Sequence, residues 1–167
     1  SLICDCDMLV GTEEEIHIAG GDVDTLASLR NIRAKSGAVI VLKRGPLGCT
    51  VFEGDILASL DEGISGQGVR VEVLNVVGAG DAFLSVFLHA WLNGECGETC
   101  ARYGSASGAL VVSRHGCTPA MPTKLELEDY LERADSGPRP DKDERIGLLH
   151  RSSTRRPTPD HLYVLAF

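Results

Sequence analysis

The spacing of apolar and polar positions changes several times along this chain, and each change marks an element. Leu2 to Val10 is short and mostly apolar and runs into Gly11-Thr12-Glu13-Glu14-Glu15. A strand followed by a helix start is predicted there, because carboxylates are favoured at the positive end of a helix. Asp22 or Asp24 can cap the next helix, in which Leu26, Leu29 and Ile32 share one face and Gly37 supplies a stop. "AVIVLKRGPLGCTVFEGD" then predicts a buried strand, a Gly-Pro turn and a second strand ending at Gly54-Asp55.

After a glycine-rich passage from Gly63 to Gly68, "VRVEVLNVV" alternates briefly and then becomes continuously apolar, the pattern of a strand entering a sheet interior. From Asp81 onward Phe83, Leu84, Phe87, Leu88 and Trp91 recur at helical spacing and form a core-facing stripe. A further helix is predicted from about Glu98 to Ser113, and Thr123 with Glu126 forms a capping box for a last one reaching about Ala134. Strands alternating with helices predict an α/β fold with a largely parallel sheet, in which ligands gather at the carboxyl ends of strands.

Beyond Asp135 the character changes. The stretch 135–159 is charged, holds four of the seven prolines and reads as a linker. "HLYVLAF" is strand-like again, so a second domain is expected to begin at 160–167, after a first domain over 1–134. The chain opens at Ser1 without a methionine and stops within that strand-like run, which reads as a fragment.

Composition narrows the classes. With 43% hydrophobic residues and a mean hydropathy of +0.02, the chain reads as an ordinary soluble protein, expected in the cytoplasm. No apolar run approaches the roughly 18 residues of a membrane span. A net charge of −8 argues against a nucleic-acid surface. The six cysteines contain no CxxC pair, so zinc and thioredoxin-like readings lack their spacing and free thiols are expected.

The informative stretch is "EVLNVVGAGDAFLSVFLHAWLNGE", residues 72–95. Two glycines where a strand enters a helix let backbone N–H groups converge, and the helix end adds positive potential, so the turn can bind an anion. A carboxylate placed there, Asp81, would repel phosphate unless it had chemical work. It can take the proton of an attacking hydroxyl while the amides hold charge on a transferred group. A helix cap is the other reading of Asp81, and the residues alone leave both open. A dinucleotide-binding turn wants glycine at Phe83, and a Walker loop needs a Gly-Lys-Ser/Thr that is absent.

These residues resemble the PfkB-type carbohydrate kinases, the ribokinase-like family, whose signature Asp-Thr-x-Gly-Ala-Gly-Asp is matched here by Asn75-Val76-Val77-Gly78-Ala79-Gly80-Asp81. The resemblance implies a ribokinase-like three-layer fold, here only its C-terminal half. It implies Asp81 as catalytic base and Gly78, Ala79 and Gly80 as the anion hole. "LKRGPLGCTVF" is similar to the family's nucleotide loop, which places Lys43, Gly45 and Gly48 beside ATP. "VGTEEE" resembles its Asn-x-x-Glu element, with Glu14 acting on Mg2+ through water and Gly11 standing where asparagine is usual. "RYGSASGALVVSRHGCTPAMP" looks like the helix and loop that enclose adenine, with Ser105 on the ATP side.

The Asp and Thr associated with a monovalent cation are absent from the Asn75–Val77 stretch, so that ion is not carried over. The detailed wording is similar to the family's sugar-acid kinases of myo-inositol breakdown, which implies ATP-dependent phosphorylation of 5-dehydro-2-deoxygluconate. Other family sugars (2-keto-3-deoxygluconate, fructose) and a non-catalytic nucleotide-binding fragment stay open. The expected partners are ATP and a small sugar acid, with neither nucleic acid nor membrane, and a homo-oligomer is left open. The same wording implies an aldolase-like domain after the linker. His115 is expected in a loop beside adenine or in a packing role, and His17, His89, His150 and His161 read as isolated.

Overall fold

In the computed structural model, residues 2–56, 58–133 and 137–154 are described. Strands β1 (Met8–Thr12), β2 (Val39–Lys43), β3 (Gly48–Phe52) and β4 (Ile64–Gln67) form one sheet in that order. β1 and β2 are parallel, joined by helices α1 (Glu13–Gly20) and α2 (Thr25–Arg33). The α/β expectation holds, but the sheet is mixed, since β2–β3 and β3–β4 are antiparallel. The reason is local. A single turn over Gly45–Leu47 can return a chain only beside itself and reversed, whereas a parallel neighbour needs a crossover.

Gly48 closes that turn at φ 87°, and a Cβ there would lie 2.0 Å from the Gly66 carbonyl oxygen, so only glycine lets β4 pair with β3.

The two faces of β2 sort the layers. Ile40 and Leu42 pack with Ile16, Leu29 and Ile32 of α1 and α2, while Val41 packs with Val51, Phe83, Phe87 and Ala101 on the other side. That second layer is α3 (Ala79–Leu92) and α4 (Gly97–Val112). Phe83 and Phe87 stack at 5.7 Å. Phe83 lies over Gly104, where any side chain would meet its ring at 2.9 Å. Of the predicted stripe, Phe83 and Phe87 are buried, whereas Leu84 stays exposed.

Caps fall where the residue types put them. Asp24 accepts from Ala27 N to start α2, and Thr123 and Glu126 form the reciprocal box that starts α5 (Lys124–Glu132). α2 ends at Ala34 in a right-handed conformation, so Gly37 is not its stop.

Two further expectations differ from the structure. "VRVEVLNVV" is not a strand, because its amides are taken elsewhere: Glu72 N donates to Pro138 O, and Leu74 N and Asn75 N both donate to Val112 O at the end of α4. Its Val73, Val76 and Val77 remain exposed. Within the expected linker, residues Glu144–Ser153 form a helix, α6, whose Ile146 is fully buried against Ala106, Leu110, Leu127 and Tyr130. Ile146, together with polar contacts such as Arg145 to Asp129, seats this short helix on its neighbours, which a composition average hides. The expected second domain at 160–167 lies outside the described residues. Among the described residues no helix is long and apolar enough to cross a membrane.

Candidate functional site

The carboxyl ends of β1 and β2 open onto a hollow of about 370 Å³ lined by Thr12, Glu13, Glu14, Lys43, Arg44, Gly45 and Leu47. A larger hollow of about 670 Å³ lies between α3, α4 and α5 and contains none of the candidate residues. The smaller one carries the chemistry, because it borders the amino end of α3. A Cβ built on Gly80 would lie 3.5 Å from Lys43 Nζ, so the lysine ammonium bridges the hollow and the glycine turn.

Lys43 is held from its other side by Glu15 Oε2 at 3.8 Å. That carboxylate closes the capping box of α1, accepting from Thr12 N at 2.7 Å. The Thr12 amide holds the Glu15 carboxyl below its ordinary range against the opposing effect of burial, with the Lys43 charge a lesser contribution in the lowering direction. Glu14, one residue back, faces the hollow exposed and without a hydrogen bond or ion pair among the described residues. It therefore fits a role toward a hydrated cation, since magnesium keeps much of its water. No group of three or more metal-ligating side chains occurs among the described residues.

The turn itself is built around Gly78, which caps α3 at φ 87°. Left-handed backbone there rotates the chain so that the helix starts with its amides open. Ala79 N is turned back to Val76 O at 3.3 Å. Among the described residues the amides of Gly78, Gly80 and Asp81 have no partner, so these three, rather than Ala79, are free for an anion.

Asp81 is exposed on the first turn, and among the described residues only its main-chain oxygen is engaged, by Ser85 Oγ at 2.7 Å. Its carboxylate does not cap the helix.

Asn75 has a part that sequence reasoning missed. Its Oδ1 accepts from Val77 N at 3.1 Å, and its Nδ2 donates to Gly116 O at 2.9 Å. The side chain thus shapes the approach to the turn and ties it to the loop after α4. Asparagine before a glycine turn is a usable signal for such a bend. The loop closes over the turn, since a Cβ on Gly78 would meet Cys117 Sγ at 2.6 Å.

Not every predicted residue comes together. Glu14, Lys43 and Gly45 line one hollow with Gly80 at its edge, whereas Gly48 serves strand pairing. Ser105 does not line the hollow; its hydroxyl is buried beside Cys49. Burial pushes the Cys49 thiol up to about 11, leaving it an inert core group.

His115 is exposed, and His150 is not isolated: its two ring nitrogens meet Glu126 and the Pro119 carbonyl. His161 lies outside the described residues.

Comparison with known proteins gives concordant results. Residues 1–124 match the model of the pfkB family carbohydrate kinases. The chain is 33% identical over 135 residues to 5-dehydro-2-deoxygluconokinase of Halalkalibacterium halodurans, spanning 78% of this chain and 39% of that protein. It is 32% identical over 130 residues to 5-dehydro-2-deoxygluconokinase of Bacillus subtilis, spanning 75% and 38%. It therefore covers about two fifths of these relatives.

Among solved structures it resembles Arabidopsis thaliana ribokinase complexed with ribose and ATP, with a TM-score of 0.68 at 24% identity over 80% of this chain and 43% of that one. A putative ribokinase II from E. coli in complex with ATP and Mg2+ gives 0.66 at 22%, over 76% and 39%. The fold is thus ribokinase-like, and this chain corresponds to part of it.

Proposed function

The chain belongs to the pfkB family of carbohydrate kinases, and from that premise we propose that it carries the phosphoryl-transfer half of an ATP-dependent sugar-acid kinase. The observation that carries the reading is the combination at one helix end: an exposed, unpaired Asp81 carboxylate beside three open amides, with the Lys43 ammonium reaching the same turn. A carboxylate with no partner among the described residues, placed where charge attracts phosphate, is suited to accept a proton.

In the proposed reaction Asp81 takes the proton of a primary hydroxyl as that oxygen bonds to the terminal phosphorus of ATP. The bond from that phosphorus to the bridging oxygen breaks, and its electron pair leaves with ADP. The amides of Gly78, Gly80 and Asp81 hold the charge on the transferred group, and Lys43 neutralises the phosphates. Mg2+ bound with ATP would screen phosphate charge, with Glu14 holding its water shell. The proposed substrate is 5-dehydro-2-deoxygluconate, supported by the names of the curated relatives.

A coupled ATP-consumption assay of the full-length protein across sugar acids and sugars tests this. We expect turnover to be fastest with 5-dehydro-2-deoxygluconate. Faster turnover of 2-keto-3-deoxygluconate or fructose would reassign the substrate. In the same assay Asp81→Asn should lower kcat by about 10² to 10⁴ while ATP affinity stays within several-fold. Near-normal turnover of that variant would remove the assigned base.

A further inference from the structure

Glu126 is fully buried, yet it is a carboxylate, and everything around it is arranged to satisfy it. Arg114 Nη2 donates to one oxygen at 2.6 Å, and Thr123 N donates to the other at 2.8 Å. His150 Nδ1 lies 2.7 Å from that second oxygen. Both bases also reach the loop that follows α4: Arg114 Nη1 donates to Ala120 O at 3.1 Å, and His150 Nε2 lies 3.0 Å from Pro119 O. A last link joins Thr123 Oγ1 and Ser153 Oγ at 2.7 Å.

Three features make this more than a core contact. His150 and Ser153 sit on α6, beyond the family match at 1–124. The loop that His150 reaches is the one that closes over Gly78 through Cys117 and is gripped at Gly116 O by Asn75. Both ring nitrogens of His150 face acceptors, a carboxylate and a carbonyl, so the ring spans from α5 to the loop rather than only filling space.

We infer that His150 is a positioning residue for the nucleotide site: from α6 it latches residues 114–121 in the place that closes the glycine turn. The inference rests on the reading of that turn as a phosphate site. Its physical basis is that a loop has little buried apolar surface of its own, so its population of the closed state depends on such anchors. Whatever moves α6 would then change ATP binding without touching the reacting atoms.

Replacing His150 by asparagine or glutamine separates the two ring nitrogens. Asparagine can replace the Nδ1 donor to Glu126, whereas glutamine reaches as far as Nε2 and can replace the donor to Pro119. In the full-length protein, hydrogen exchange at 114–121 and the KM for ATP are measured for His150→Asn, His150→Gln and His150→Ala. We expect Ala and Asn to lose about tenfold in loop protection and to raise KM about three- to tenfold, with kcat within twofold and Gln near wild type.

Wild-type behaviour of His150→Asn, or a lowered melting temperature with no change in either readout, would overturn the inference. So would a loosened loop with unchanged KM. If the unaltered protein consumed no ATP, the proposed function would fall, while exchange at 114–121 would still decide whether the latch exists. Should His150→Ala not fold, the Asn and Gln pair carries the test.

Discussion

Asp81 and Glu126 are both first-turn helix carboxylates, each the third helical residue after its cap, and the protein treats them oppositely. Glu126 is fully buried and satisfied by an arginine, a histidine and a backbone amide. Asp81 is exposed and its carboxylate has no partner among the described residues. The same residue class at the same helical position therefore does structural work in one place and is left available in the other. What separates them is not the local pattern but whether distant parts of the chain supply donors. A partnered carboxylate is a poor base, because its lone pairs are already used.

The contrast can be broken most forcefully by exchanging what each residue loses. Glu126→Ala leaves Arg114 and His150 facing a void, and removing one partner of a buried charge network costs about 3–5 kcal/mol. Asp81→Asn, in contrast, removes only a favourable interaction with the helix end, about 0.3–1 kcal/mol, while abolishing most turnover. Denaturant unfolding of both variants decides the matter. Equal stability losses would show that Asp81 is a structural residue after all.

A smaller effect is expected at the pair that joins the hollow to the turn. Lys43→Met should raise the KM for ATP about tenfold, since a charge-assisted phosphate contact is lost. Glu15→Gln keeps the capping box, because glutamine serves at that position as well as glutamate, but removes the charge beside Lys43. Its effect should be about two- to threefold, in line with an exposed ion pair. In a Lys43→Met background it should vanish. An undiminished effect in the double variant would show that Glu15 acts by some route other than the lysine.

Much of this was legible in the sequence wherever the cause is local. Thr123 with Glu126 announced α5, and the Gly-Pro turn announced the β2–β3 pair. Gly78 and Gly80 announced an open helix start. What was not legible depended on partners far along the chain. "VRVEVLNVV" has the composition of a strand, yet Val112 O and Pro138 O take its amides first. The charge-rich stretch after 135 looks like a tether, yet Ile146 seats it on α4 and α5. The candidate site shows the same division: Asp81 and the glycines stand out as a motif, while Asn75, Arg114 and His150 gain their roles only through contacts across the fold.

The weakest of the expected effects concerns how α6 is attached, and it follows from two carboxylates near its start. The guanidinium of Arg139 holds the Asp141 carboxyl below its ordinary range, outweighing burial. Burial pushes the Asp143 carboxyl up, but its bond to Arg133 and the amides of Ile146 and Arg145 together bring it below that range. A carboxyl lowered in the folded state contributes stability above its unfolded pKa of about 4, and that contribution is lost as pH falls through the folded value. Acid should therefore loosen α6 before it reaches the sheet, whose buried Ile40, Val41 and Leu42 do not titrate and whose Cys49 thiol stays protonated in acid. Hydrogen exchange followed from neutral pH down to about pH 3, corrected for the intrinsic rate, should show protection falling first in 144–153. Simultaneous loss in β2 and α6 would mean that α6 is bound by its apolar contacts alone, and that the ion pairs at its start add nothing.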